Sequence, residues 1–173
     1  VNLVTFPSPL DAARLAELIE KFSISMVVAT PTFLRGYMRR ATPEQFRSVK
    51  LVITGAEKLP SKMADAFQKR FGKTVYEGYG LTETSPVSNV NLPDRDDRDI
   101  EEDDGIPVIP NHRPGSVGLL IPGIAVRITD PETFEPRSLH SSGMIWLKGA
   151  NVFGEYLDLP EKTREVMMNQ WFM

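Results

Sequence analysis

The sequence predicts an α/β protein: a mainly parallel, helix-covered sheet followed by a small antiparallel, β-barrel-like subdomain. Three observations carry this expectation. Short apolar runs alternate with amphipathic helical patterns through residues 1–92, the β-α-β-α-β order of helix-covered parallel sheets. An acidic loop at residues 93–114 interrupts that order. Residues 115–157 then carry short β-rich runs separated by Gly-, Pro- and Ser-containing turns.

Each element has its own reason. Residues 1–6 are an apolar run that reads as a first strand. Leu15, Leu18, Ile19 and Phe22 follow helical spacing. Residues 26–29 read as a short buried strand. Thr30 is placed to cap a helix that has Pro31 at its first position and Phe33, Leu34, Tyr37 and Met38 as apolar residues. Residues 49–53 read as another buried strand. Ser61 caps a helix carrying Met63, Ala66, Phe67 and Phe71, and Gly72 stops it. Residues 74–76 form the next strand. Residues 94–104 are dense in Asp and Glu, lack EF-hand spacing and read as solvated loop. Residues 117–121, 124–128 and 144–147 supply the later strands. Within residues 158–173, Asp158-Leu159-Pro160 opens a last helix through Met168.

Composition narrows the function. A formal net charge of -3 leaves no basic footprint for nucleic acid. The absence of cysteine excludes a disulfide framework and thiol chemistry, and His112 and His140 are too few for a histidine-rich metal site. No apolar run is long enough to span a bilayer, and no signal peptide is visible. A cytoplasmic location is the default expectation; membrane association through parts outside these residues stays open. Both ends lie in apolar stretches, so the chain is expected to be an internal piece of a longer protein.

The chemistry concentrates in Tyr76-Glu77-Gly78-Tyr79-Gly80-Leu81-Thr82-Glu83-Thr84. Its glycines permit sharp turns and close ligand approach. An aromatic face stacks on a base, and hydroxyl and carboxylate oxygens suit phosphate and Mg2+. The bland alternative is a glycine turn with Thr82 capping a helix from Glu83. Upstream, Gly55-Ala56-Glu57 follows a strand. It either borders a nucleobase or simply makes a tight strand-to-helix turn, with Glu57 favourable near a helix start. In a parallel sheet both segments lie at the carboxyl edge, where ligands bind.

Taken together, these segments resemble the acyl-adenylate-forming (AMP-binding) enzymes, the superfamily of acyl-CoA synthetases, luciferases and peptide-synthetase adenylation domains. Tyr79-Gly80-Leu81-Thr82-Glu83 is similar to its Tyr-Gly-x-Thr-Glu motif. Gly55-Ala56-Glu57-Lys58-Leu59 is similar to the upstream Gly-Gly-Glu-x-Leu turn. Gly115-Ser116-Val117-Gly118 with Pro122-Gly123 resembles the following glycine-rich segment. Gly143-Met144-Ile145-Trp146-Leu147-Lys148-Gly149, Asn151-Val152 and Gly154 to Tyr156 resemble the strand-turn block before the family's hinge. Within the superfamily, Gly55 to Leu59, Glu77 to Gly80 and Pro86-Val87-Ser88 are most similar to the acyl-acyl carrier protein synthetase part of bifunctional acylglycerophosphoethanolamine acyltransferase/acyl-acyl carrier protein synthetases. Long-chain fatty acyl-CoA ligases are the close rival.

The resemblance implies part of the large N-terminal domain of the adenylate-forming fold. It implies a ligase that activates a fatty acid with ATP as acyl-AMP and passes it to a phosphopantetheine thiol, of acyl carrier protein or of CoA. By the same resemblance Tyr79 stacks on adenine, Gly55, Ala56, Glu57, Gly78 and Gly80 border the nucleotide, Thr82 binds the α-phosphate, and Glu83 holds Mg2+. The helix bearing Phe33, Leu34 and Tyr37 either walls the acyl tunnel or packs the core. Arg39 and Arg40 form a solvated helix end or meet an acidic carrier protein. Departures matter too. The Ser/Thr/Gly-rich loop with lysine, the Thr-Gly-Asp motif and the mobile C-terminal domain are not in this sequence. Residues 1–173 alone are therefore expected not to complete adenylation. The alternative of another class is a non-catalytic nucleotide-binding module; Thr82 and Glu83 argue against it. A Rossmann-type binder is disfavoured, because Gly78-x-Gly80 lacks the third glycine.

Overall fold

A computed structural model describes residues 2–94 and 109–173. The chain forms two compact units, Val1–Tyr79 with Asn91–Gly118, and Gly80–Val90 with Leu119–Met173.

The first unit is α/β. Its elements run α1 (Ala12–Lys21), β1 (Met26–Ala29), α2 (Pro31–Arg40), β2 (Leu51–Thr54), α3 (Ser61–Phe71) and β3 (Val75–Tyr79). The strands pair in parallel, with Val27 opposite Val52 and Ile53 opposite Tyr76. Local chemistry sets the boundaries. The Asp11 side chain accepts from the Arg14 N–H to start α1. Thr30 accepts from the Phe33 N–H to start α2, and Pro31 takes the first position, where its missing N–H costs nothing. Gly72 ends α3 in the left-handed conformation, φ 65°. The core joins Leu34, Phe46, Val49, Val52, Phe67 and Phe71. Phe46 meets Phe71 at a 4.6 Å ring-centroid separation, and Tyr37 edge-on at 5.4 Å. Burying each such side chain is worth about 1.5–3 kcal/mol.

The second unit is β-rich. Its β4 (Asn89–Val90) pairs antiparallel with β5 (Leu119–Leu120). Then β6 (Ile124–Thr129) and β7 (Met144–Gly149) form a long antiparallel pair, followed by α4 (Pro160–Val166), β8 (Met167–Met168) and β9 (Trp171–Phe172). The order β6-β7-β9-β8 makes an open four-stranded sheet. Trp146 is fully buried and donates from its indole N–H to the Thr129 hydroxyl at 2.7 Å.

Several expectations are corrected. Residues 2–6 form no strand, and Leu3 is 85% exposed; no described strand pairs with them, and an apolar run without a ladder is not a strand. β1 is buried only at Val27, with Met26 and Val28 exposed, because only one of its faces is covered. Pro60, not Ser61, is the residue before α3, and no side chain caps that helix. Ala66 is exposed and Ala64 half-buried in its place. β3 runs on through Glu77, Gly78 and Tyr79. The last helix stops at Val166, because Met167–Met168 pairs with Trp171–Phe172. The turn between them holds Asn169 and Gln170 at φ 52° and 67°, the double positive φ that matches strand twist in a tight hairpin. The solvated-loop reading of residues 94–104 falls almost wholly on residues 95–108, outside the described residues.

Candidate active site

In the first unit, β2 ends at Thr54 and the chain turns through residues 55–59. A Cβ on Gly55 would lie 3.4 Å from the Gly78 carbonyl oxygen, so the two predicted glycine segments touch at the carboxyl ends of β2 and β3. The left-handed residue of this turn is Ala56, φ 65°, a conformation that costs a side-chain-bearing residue about 1–2 kcal/mol. Glu57 is exposed and its Oε2 accepts from the Thr32 hydroxyl at 2.9 Å. Glu77 reaches back from β3, its Oε1 accepting from the Leu59 N–H at 3.0 Å. It closes the turn from the opposite side. Nothing in the sequence pattern assigns Glu77 a role; its place beside Gly78 is the available signal.

Gly78 and Tyr79 lie in β3, not in a loop. Beside the strand, buried Asn91 donates from its side chain to the Glu77 and Ser116 carbonyls at 3.0 and 2.6 Å and accepts from the Arg113 N–H at 2.9 Å. A cavity of about 140 Å³ is lined by Glu77, Asn91, His112 and Arg113 among others. None of the residues predicted to border adenine lines it. On α2, Leu34 and Tyr37 belong to the core, while Phe33 is half-buried; core packing accounts for the first two.

In the second unit the chain passes Gly80, where a Cβ would fall 2.7 Å from the Val87 Cα; only glycine fits. Residues 82–84 form one 3-10 turn. Its capping group is Thr84, not Thr82. The buried Thr84 hydroxyl accepts from the Leu81 N–H and donates to the Leu81 carbonyl, both at 2.9 Å. Thr82 is thereby left exposed and Glu83 half-buried. The segment 151–156 straps this turn. Phe153 N–H donates to the Glu83 carbonyl at 2.8 Å. The Asn151 amide donates to the Thr84 and Val87 carbonyls at 2.5 and 2.9 Å. The Tyr156 hydroxyl donates to Glu83 Oε1 at 2.6 Å. That hydrogen bond, then one from its own backbone, holds the Glu83 carboxyl below the ordinary glutamate range, with Lys162 adding positive charge. The same bond pushes the Tyr156 phenol up. Asn151 and Tyr156 stand in a segment singled out in the sequence, but no spacing rule ties Tyr156 to Glu83.

Among the described residues there is no group of three or more His, Cys, Asp or Glu able to hold a metal by themselves. A single carboxylate kept ionised fits Mg2+ nonetheless, because Mg2+ is commonly held by one or two carboxylates plus substrate phosphates.

With this geometry in view, the comparisons with known proteins identify the family. Residues 1–157 match the profile of the AMP-binding enzyme family, and the chain belongs to that family. The long-chain-fatty-acid–CoA ligase of Bacillus subtilis (strain 168) is 27% identical over 163 residues, covering 93% of this chain and 26% of the relative. The 4-coumarate–CoA ligase of Pinus taeda is 28% identical over 150 residues, covering 85% of this chain and 26% of the relative. The chain thus spans about a quarter of the length of the curated relatives it matches. Among solved structures, apo MatB from Rhodopseudomonas palustris superposes with a TM-score of 0.76 at 30% identity, covering 94% of this chain and 30% of that one. An anthranilate CoA ligase, AuaEII, gives 0.79 at 21% identity over 99% of this chain and 31% of that one, a likeness of fold alone. The fold is that of the N-terminal domain of adenylate-forming enzymes.

Proposed function

We propose that the protein containing this chain is an ATP-dependent acid–thiol ligase. A fatty carboxylate oxygen attacks the α-phosphorus of ATP, the bond to the bridging oxygen breaks, and pyrophosphate leaves. The thiol sulfur of a phosphopantetheine arm then attacks the acyl carbon, AMP departs, and the thiol proton passes to solvent. The weak carboxylate nucleophile has to be aligned and the phosphate charge neutralised. The observation that carries the reading is the 3-10 turn at residues 82–84, which presents an exposed hydroxyl, Thr82, beside a fixed carboxylate, Glu83. Thr82 is assigned to the α-phosphate, Glu83 to Mg2+, and Tyr79 to the adenine face. Gly55, Ala56, Glu57, Gly78 and Gly80 are assigned as the backbone that lets the nucleotide approach. Bound Mg2+ would draw charge off the phosphoryl oxygens.

The named relatives are CoA ligases, which supports CoA as the acceptor thiol. The carrier-protein reading rests on the sequence resemblance and on Arg39 and Arg40, both exposed at the end of α2. Pyrophosphate release by the full-length protein, screened across fatty and aromatic acids with CoA and carrier protein as acceptors, tests both. Release dependent on a fatty acid and a thiol is expected. A protein that binds ATP yet releases no pyrophosphate with any acid would be a non-catalytic module, and the proposal would fall.

A further inference from the structure

Segment 151–156 has no role of its own in the proposed function, yet it meets the Glu83 turn at backbone and side chain alike. Phe153 N–H fixes the Glu83 carbonyl, and the Asn151 amide fixes the Thr84 and Val87 carbonyls. These contacts set where the backbone of the turn lies. They leave the Glu83 side-chain torsions undecided. Tyr156 decides them: its hydroxyl sits 2.6 Å from Glu83 Oε1.

The phenol is itself held in place. Its ring meets Phe153 edge-on at 4.7 Å, and Lys162 lies over it at 5.6 Å from the centroid. Its backbone N–H donates to the Thr163 hydroxyl at 3.0 Å, which ties it to α4. A donor built on so firm a base takes one oxygen of the carboxylate and fixes the plane of the group. Mg2+ demands near-ideal octahedral geometry, and partners that orient a ligating carboxylate govern metal affinity.

We infer that Tyr156 is the positioning residue for Glu83, occupying one carboxylate oxygen so that the other faces the nucleotide-bound Mg2+. The inference rests on the assignment of Glu83 to that ion. Its test is Mn2+ binding to the full-length protein in the presence of a non-hydrolysable ATP analogue, followed by electron paramagnetic resonance. Wild type, Tyr156→Phe, Glu83→Gln and the double variant are compared, with thermal melting as a fold control. Tyr156→Phe is expected to weaken Mn2+ binding about tenfold with metal-free binding of the analogue unchanged. It should raise the half-saturating Mg2+ for ATP–pyrophosphate exchange while leaving the maximal rate within about twofold of wild type. In the Glu83→Gln background the same change should add nothing. Wild-type Mn2+ affinity in Tyr156→Phe, with Glu83→Gln impaired, overturns the role of Tyr156 while the metal assignment stands. An equal loss with and without Glu83 also overturns it. Unimpaired Mn2+ binding in Glu83→Gln removes the metal assignment and this inference with it. If Tyr156→Phe lowers the melting temperature sharply, Mn2+ binding is compared at a temperature where both proteins are folded: wild-type affinity there counts against the role, and a loss that disappears in the Glu83→Gln background supports it.

Discussion

Glu83 is a single carboxylate whose orientation is set by one phenol and whose ionised form is favoured by that phenol. Replacing it with alanine in the full-length protein is expected to cut ATP–pyrophosphate exchange at saturating ATP at least about a hundredfold, in the range seen when a charge-stabilising group is lost; near-normal exchange would refute the assignment. Ala56 presents the opposite situation, a residue placed where glycine is favoured. Relief of the left-handed cost, about 1–2 kcal/mol, is partly offset by the backbone freedom glycine loses on folding. Ala56→Gly should therefore stabilise the protein by about 0.5–1 kcal/mol in urea melts. At this scale the sequence is legible in residue type and opaque in geometry. Thr84 is indistinguishable from Thr82 as a capping hydroxyl until the backbone of the turn is known.

Elements are legible at several boundaries that a local rule fixes, though not at Ser61, since no side chain caps α3. Thr30-Pro31 starts α2 and Gly72 ends α3 because capping is decided within a few residues. They are illegible where the decision is made by a distant partner: residues 2–6 lack a described one, and Met167–Met168 acquires one in β9. Asn91 shows how strongly such a remote decision is enforced. Asn91→Ala leaves the Ser116 carbonyl and the Arg113 N–H without their partner, while the Glu77 carbonyl keeps the Asn91 backbone N–H. The expected destabilisation is about 2–3 kcal/mol, measured by thermal or chemical melting. The turn after β6 carries a pH signature. Asp130 accepts from the Glu132 and Thr133 N–H groups at 2.8 and 3.0 Å, and its Oδ2 meets Arg137 at 2.6 Å. The backbone donor at Thr133, then that at Glu132, hold its carboxyl below the ordinary aspartate range. A lowered folded value means the turn's stabilisation is present above the unfolded pKa and is lost as pH falls through the folded one. Amide exchange at Glu132 and Thr133 should thus accelerate in acid relative to neighbouring amides, after correction for intrinsic rates; Asp130→Asn should remove that pH dependence.

The molecule as a whole divides at Tyr79 and Gly80, within the motif richest in chemistry. The α/β and β-rich characters of its parts are readable from periodicity alone. That a single motif supplies residues to two compact units is not, because motif spacing carries no information about which core each residue joins. At this scale the open matter is the partner. Arg39 and Arg40 are exposed at the end of α2, and opposite charge across an interface mainly raises the association rate. Reversing both charges in the full-length protein is expected to raise KM for an acidic carrier protein about fivefold or more at low salt, with KM for CoA unchanged. Equal KM values for the carrier in the two proteins would leave CoA as the better-supported acceptor.

The hydrogen bond between Tyr156 and Glu83 joins residues 73 positions apart, and this sets an order of events during synthesis. At about 5–20 residues per second, Tyr156 is polymerised about 4–15 s after Glu83. For that interval the turn exists as chain without the groups that aim its carboxylate. A ribosome-bound intermediate arrested before Tyr156 would carry the motif but not its trained geometry. Competence of this turn therefore dates from the emergence of the strap, not of the motif.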